Sequence, residues 1–377
     1  MIKINFTKKV IPVLIAILIM SNFFVNKGLA QDVSTNEQLD ATQTTTKQYR
    51  ETKLKTKLPN VISIGDWSIN VDSKGKLFSY ISSYSTLYDC KKKIKAIDDG
   101  NAIVSYTAKG KSKITYLPQH GNMTLKNSML SGKSIYLLSS KNGSRMKKKI
   151  EVFNSRGKIK KSVTYNTKGL LTKKNKLVSN KAFYCNKLIM AGKNKVRVLY
   201  SIKSEGNLVQ GGIALFDLKT GKMENECILG FLPVEVDNRY IYGVDGNNLA
   251  SSGNMMYMIA DRKTGKIVNT IASNYSMSLE DKQKVVGGEA FGDYFYDFNN
   301  GKILIANPSG FYYGKVTADK FTKISDLSDS KYYKGASDNN KYVIKEIKIK
   351  SRTEFYVLYC IDADGDVDNV LAKYTAE

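Results

Sequence analysis

The residues able to do chemistry are few. The 377-residue chain has one histidine, His120, in the turn-like stretch Leu117-Pro118-Gln119-His120-Gly121-Asn122. A single imidazole excludes a multi-histidine metal site, and any histidine-dependent triad would have to use His120, for which the sequence shows no nucleophile. The expectation is a solvated loop histidine. No G-x-S-x-G elbow occurs, which excludes a hydrolase of that type. Gly110-Lys111-Ser112 and Gly132-Lys133-Ser134 end like phosphate loops, but Ser105 and Asn127 stand where the earlier glycine must be. A sialidase-type S-x-D-x-G-x-x-W turn is also missing.

Two acidic sets remain. Asp362, Asp364, Asp366 and Asp368 alternate through one turn, and hard cations take several carboxylates from one loop. The EF-hand pattern fails there, with Val367 at the glycine position and Lys373 at the bidentate glutamate position. The reading is therefore a solvated acidic turn or a Ca²⁺ site of another type. Ca²⁺ is the only cofactor the sequence suggests. Asp245, Glu289 and Asp293 are the carboxylates a carbohydrate-active enzyme would use, with nothing in the sequence to bring them together.

The basic residues are more informative. Lys plus Arg is 59 against 34 acids, a formal charge of +25. Twelve of them crowd between 145 and 176, against the single acid Glu151: Arg145, Lys147, Lys148, Lys149, Arg156, Lys158, Lys160, Lys161, Lys168, Lys173, Lys174 and Lys176. A sector of that charge concentrates anions around itself and is screened by salt. The plain alternatives are lysines guarding strand edges and a general bias of composition toward Lys, Asn, Ile and Tyr.

The elements that must position these groups are strands. From about residue 60 the apolar pattern has period 2, in short runs of Ile, Val, Tyr and Phe punctuated by Gly, Asn and Asp. Only Ser276–Lys284 reads as a short helix, with Ser278 as its cap. One hairpin recurs: an apolar strand, Asp or Asn, a turn ending in Gly, Lys, then a second strand. It is clearest at Asp217–Gly221 and Asp261–Gly265, recognisable at Asn154–Gly157, and looser at Asp72–Gly75, Gly110, Asp319 and Asp362–Gly365. Asp or Asn opens such a turn by bonding its own backbone, and Gly supplies positive φ. Tyr136, Tyr242, Tyr296 and Ile344 close a second strand type that precedes several of these hairpins. From Gly75 to Gly365 the turns average about 48 residues apart, near the length of one four-stranded propeller blade. Blades set radially bury each sheet face on the next.

The Asp217-Leu-Lys-Thr-Gly-Lys and Asp261-Arg-Lys-Thr-Gly-Lys turns resemble the blade motif of the quinoprotein-like and YVTN-like propellers. That resemblance implies an all-β propeller of about six to eight four-stranded blades. The blade tryptophans of many quinoproteins are missing, since Trp67 is the only one, so no quinone is expected. A pair of β-sandwiches or an irregular β-solenoid is the alternative fold. The 24 tyrosines, at strand spacing, are expected to pack between blades.

The ends carry an address. Lys8 and Lys9 precede the uncharged run Val10 to Val25, and Lys27-Gly28-Leu29-Ala30 offers small residues before a cut after Ala30. Residues 1–30 read as a signal peptide, or alternatively an uncleaved signal-anchor; 31–58 as a disordered polar spacer; and 59–377 as a single propeller-like domain. No later run approaches membrane length. Cys90, Cys185, Cys227 and Cys360 allow two disulfides in an exported chain, although their apolar neighbours favour free thiols. The sequence points to an exported, non-enzymatic binding or scaffold protein, secreted or at the cell surface. Its partner would be a protein or an anionic cell-envelope polymer, with nucleic acid less expected. The rival is a glycoside hydrolase or lyase on the same fold.

Overall fold

The computed structural model describes residues 48–55, 61–72, 75–90, 93–107, 109–117, 126–154, 158–245, 256–272, 295–318, 321–333, 343–363 and 366–377. Of these, 61–66, 82–90, 93–102, 115–117, 256, 272, 361–363 and 366–368 are described as backbone only.

The period-2 pattern becomes six four-stranded antiparallel sheets, each formed from strands consecutive in the chain except at the seam. They are the blades of a six-bladed β-propeller. The first blade holds β2 (Val61–Val71), β3 (Leu77–Cys90), β4 (Lys93–Tyr106) and β5 (Ser112–Leu117). The second holds β6 (Ser128–Ser131), β7 (Ser134–Ser140), β8 (Lys147–Asn154) and β9 (Ile159–Asn166). The third is β10 (Lys181–Gly192), β11 (Lys195–Ser204), β12 (Asn207–Asp217) and β13 (Met223–Leu229). In the fourth come β14 (Leu232–Val236), β15 (Tyr240–Val244), β16 (Met256–Asp261) and β17 (Ile267–Ala272). The fifth contains β18 (Phe295–Asn299), β19 (Lys302–Asn307), β20 (Gly310–Lys315) and β21 (Thr322–Ser325). The last is β22 (Val343–Ser351), β23 (Glu354–Ala363) and β24 (Asp366–Ala376), with β1 (Tyr49–Lys53) as its fourth strand.

That fourth strand corrects the expected spacer. Residues 49–53 are not disordered: β1 runs antiparallel to β24, with Tyr49 opposite Ala376 and Lys53 opposite Ala372. The segment looked unstructured because its burial alternates around Glu51 and Arg50 rather than around apolar residues. Its order comes from β24's free edge and from a polar anchor. Glu51 accepts the amide of Lys331 at 2.7 Å and the hydroxyls of Ser330 (2.8 Å) and Tyr374, and Tyr374 also meets Tyr359 at 2.6 Å. Residues 1–30, expected to be a signal peptide, lie outside the described residues.

Every interface between neighbouring blades has its own apolar core. Strand alternation explains how one strand serves two of them: Val196, Val198, Tyr200 and Ile202 of β11 pack toward the second blade, while Leu199 packs toward the fourth. Tyr165, Tyr200, Tyr242 and Tyr359 are among the largest fully buried side chains, so many tyrosines do fill these interfaces. Trp67 joins Leu54, Tyr356, Leu358 and Leu371 in the core that closes the last blade on the first.

The strand order also sorts the repeated turns. Reversals from the first to the second and from the third to the fourth strand lie at one end of the ring, here the turn end. Second-to-third hairpins and links between blades lie at the other, the loop end. Asp217 and Asp261 open third-to-fourth turns, each accepting the next two free amides at 2.7–3.0 Å. The amides of Thr220 and Thr264, chiefly, hold these two carboxyls below their ordinary range. Gly221 and Gly265 take φ of 71° and 69°, a region glycine enters without strain. Asp72–Gly75, by contrast, joins β2 to β3, and Asp362–Gly365 falls between β23 and β24 at the loop end. Counting those two with the true repeats shortened the apparent period. Val61 to Val343 covers five blade repeats of about 56 residues each. The expected helix at 276–284 lies outside the described residues.

Candidate functional site

The basic sector does not form one patch. β8 starts at the loop end and β9 starts at the turn end, so the cluster divides. Lys158, Lys160 and Lys161 stand at or near the turn end, whereas Arg145, Lys147, Lys168, Lys173, Lys174 and Lys176 stand at the loop end. Eight residues of β9 separate the groups by roughly 25 Å at the usual rise per strand residue. Arg156 lies outside the described residues. Two expected members are not free surface charges. Lys149 pairs with Glu151 at 2.9 Å, and Lys148 is buried, only 7% exposed.

The loop-end group is held by a fold-back between the second and third blades. Residues 167–180 make two short 3-10 turns, Thr167–Leu170 and Lys174–Leu177. Asn166 caps the first by accepting the amide of Lys168 at 3.3 Å, and Thr172 accepts the amide of Asn175 at 3.3 Å at the second. Gln210 of β12 rivets both to the third blade. Its side chain, 2% exposed, donates to the Leu170 carbonyl (2.8 Å) and accepts from Thr172 N (3.1 Å) and Asn175 Nδ2 (3.2 Å). Thr167 Oγ1 ties the segment to the second blade by donating to the Met146 carbonyl at 2.6 Å. Lysines 168, 173, 174 and 176 are thereby presented outward on a fixed support, with Leu177 89% exposed among them.

Two hollows adjoin this support and share Asn180. One, of about 640 Å³, has an apolar floor of Met146, Leu171 and Val178 and a rim that includes Lys168, Lys176 and Lys181. The other, of about 480 Å³, lies between the second-to-third hairpins of neighbouring blades. Gly143 and Arg145 border it from the second blade, Lys203, Glu205 and Gly206 from the third, and Phe183 and Tyr184 of β10 form its wall. Glu205 and Gly206 take φ of 50° and 85°, the two positive values that a two-residue hairpin of this hand demands.

The inner strands carry a second charged set that the sequence reading missed. Lys187 (β10) reaches Glu235 (β14) and Asn70 of β2 at 3.3 Å. Lys348 (β22) lies 3.2 Å from both Asp297 (β18) and Glu346. Asp297 also accepts the amide of Ile349 at 2.7 Å. Burial pulls Lys348 down, but Asp297, Glu346 and Glu235 outweigh it and hold the ammonium above its ordinary value. Burial pushes the Asp297 carboxyl up. Each of these carboxylates bonds another blade or a lysine, so the set ties the third blade to the fourth, the fifth to the sixth and the sixth to the first. The signal was present in β22, where Glu346 and Lys348 alternate with Ile347 and Ile349.

Of the expected enzymatic carboxylates, Asp245 stands just past β15, and Glu289 and Asp293 lie outside the described residues, as does His120. Asp364 lies outside them too. Asp362, Asp366 and Asp368 are placed by backbone register alone, opposite Val367, Ala363 and Ile361. Among the described residues no cluster of metal-binding side chains forms. Cys185 and Cys227 are free thiols, each half-buried, and Cys360 is half-buried as well.

No family model matches the chain, and no curated protein matches it. Solved structures with a similar course include a protein of unknown function from Dyadobacter fermentans, 8% identical, with a TM-score of 0.44 over 87% of this chain and 99% of that one. A neuraminidase-like protein of a little yellow-shouldered bat isolate is 10% identical, with a TM-score of 0.43 over 88% and 98%. The α-L-arabinofuranosidase of Fusarium graminearum is 11% identical, with a TM-score of 0.40 over 86% and 98%. No activity is carried over from likenesses of this size.

Proposed function

We propose that this six-bladed propeller is an exported binding module that engages an anionic cell-envelope polymer through the loop end of its second and third blades. The observation that carries the reading is the riveted segment 167–180. It fixes exposed lysines 168, 173, 174 and 176 beside two hollows whose rims add Arg145, Lys181 and Lys203. Fixed cations lose less freedom on binding than mobile ones, so preorganisation favours ligand capture over simple solubility. The N-terminal address supports export, and the missing histidine chemistry supports binding rather than catalysis. The Asp-x-x-Thr-Gly turns enter this reading as a resemblance to quinoprotein-like and YVTN-like propellers, without a quinone. Ca²⁺ at Asp362–Asp368 forms no part of it.

The test is retention of the purified chain on an immobilised polyanion and on isolated cell-wall polymer across a salt gradient. Binding that weakens steeply and continuously with salt is expected. Absence of binding at low salt overturns the reading.

A further inference from the structure

The hollow between the second-to-third hairpins of the second and third blades holds a lysine where a core residue belongs. Lys148 stands in the β8 row of Ile150 and Val152, both of which pack in the interface with the third blade. It is buried, yet it lines the hollow. Its ammonium bonds Ser140 Oγ at 2.8 Å and lies 5.9 Å from the centroid of the Phe183 ring. Among the described residues no carboxylate pairs with it. Burial pulls the Lys148 ammonium below its ordinary value and pushes the neighbouring Cys185 thiol far above its own, so that thiol stays neutral. A buried ammonium has three donors and calls for an anion or several acceptors. Here the described residues supply one hydroxyl and a ring face.

The rest of the hollow narrows the anion's identity. Arg145 and Lys203 add charge at the rim, which suits one carboxylate or phosphate. Tyr184, 50% exposed, offers a ring on which a sugar could stack. Glu205 stands on the third-blade rim near Lys203, exposed. Its carboxylate repels a densely charged backbone such as nucleic acid but accepts hydrogen bonds from neutral hydroxyls. Resting on the polymer-binding reading above, we propose that this hollow binds a single acidic sugar unit, its carboxylate or phosphate against Lys148 and its hydroxyls toward Glu205 and Asn180.

Isothermal titration of the full chain would use glucuronate, glucose 6-phosphate, glucose, inorganic phosphate and a short single-stranded oligonucleotide. Saturable binding of at least one anionic sugar is expected, with glucose and inorganic phosphate at least about tenfold weaker. The two anionic sugars distinguish a uronic acid from a sugar phosphate as the source. Lys148→Met and the rim variant Lys203→Met should each weaken binding about tenfold or more, with folding checked by thermal unfolding. Equal binding of inorganic phosphate, stronger binding of the oligonucleotide, no binding of either anionic sugar, or unchanged binding by both folded variants would overturn the proposal. If neither anionic sugar binds while the native chain keeps its salt-sensitive polymer retention, the sugar site alone has failed. Loss of retention by the native chain sinks the broader reading.

Discussion

The carboxylate of Glu346 accepts the backbone amide of Ile69 at 2.7 Å, joining residues 277 positions apart where the last blade meets the first. The propeller thus closes twice. Glu346 ties the inner strands β22 and β2, and β1 pairs with β24 at the rim. Trp67, the chain's one tryptophan, lies in the apolar core of this same seam and reports on it directly.

Glu346→Ala removes a charge-assisted hydrogen bond to a buried amide and a partner of Lys348, a loss of about 2 kcal/mol. The expected outcome is a lower unfolding temperature, with a red shift of Trp67 emission that coincides with or precedes global unfolding by circular dichroism. Emission that changes only after the rest of the ring has unfolded would contradict the role given to Glu346 in holding the seam.

Glu51→Ala unfastens β1 by stranding Tyr374, Ser330 and the Lys331 amide together. Its cost should exceed that of Glu51→Gln, which keeps an acceptor oxygen. The check is amide exchange at Arg50, Thr52 and Leu54, whose protection should fall in the alanine variant first.

Seam and interface tyrosines predict an alkaline limit. Burial raises the hydroxyl of Tyr200 to about 12 and pushes those of Tyr359 and Tyr374 further. Folded values above the unfolded value of about 10 mean that stability is fully present below pH ~10 and falls as pH rises beyond it, because only the unfolded chain then releases these protons. Absorbance at 295 nm should show exposed tyrosines ionising first and a second, cooperative rise at the unfolding pH. A single smooth titration near pH 10 would contradict this.

Gln210→Leu should detach the segment 167–180 without removing any charge. Leu170 O, Thr172 N and Asn175 Nδ2 lose their shared partner, at a cost of about 1–3 kcal/mol for buried groups. Polyanion retention should weaken while net charge stays constant, and limited proteolysis should cut near Lys173 and Lys174. Unchanged retention would show that the lysines act as loose charges.

The fold was readable because strand alternation and the Asp-x-x-Thr-Gly turns are local signals. Asp217 bonds amides two and three residues away, so its turn is written in adjacent letters. β1 was not readable, since Tyr49–Lys53 is ordered by a strand more than 300 residues downstream. The ties between inner strands were hidden for the same reason: Lys187, Glu235 and Asp297 come from different blades. The basic sector was visible as composition, but its division depended on strand direction, and Lys148 looked like any other lysine in Lys147-Lys148-Lys149. Its burial beside Phe183 and its bond to Ser140 distinguish it.

The measurement that bears most directly on the binding surface compares two charge reversals of equal size. One is Lys173→Glu with Lys174→Glu and Lys176→Glu at the loop end; the other is Lys158→Glu with Lys160→Glu and Lys161→Glu near the turn end. Both lower the net charge by six, so a merely electrostatic protein should lose polymer retention equally in each. The loop-end triple is expected to elute at much lower salt while the turn-end triple stays close to the native chain. Equal loss, or a greater loss from the turn-end triple, would contradict it.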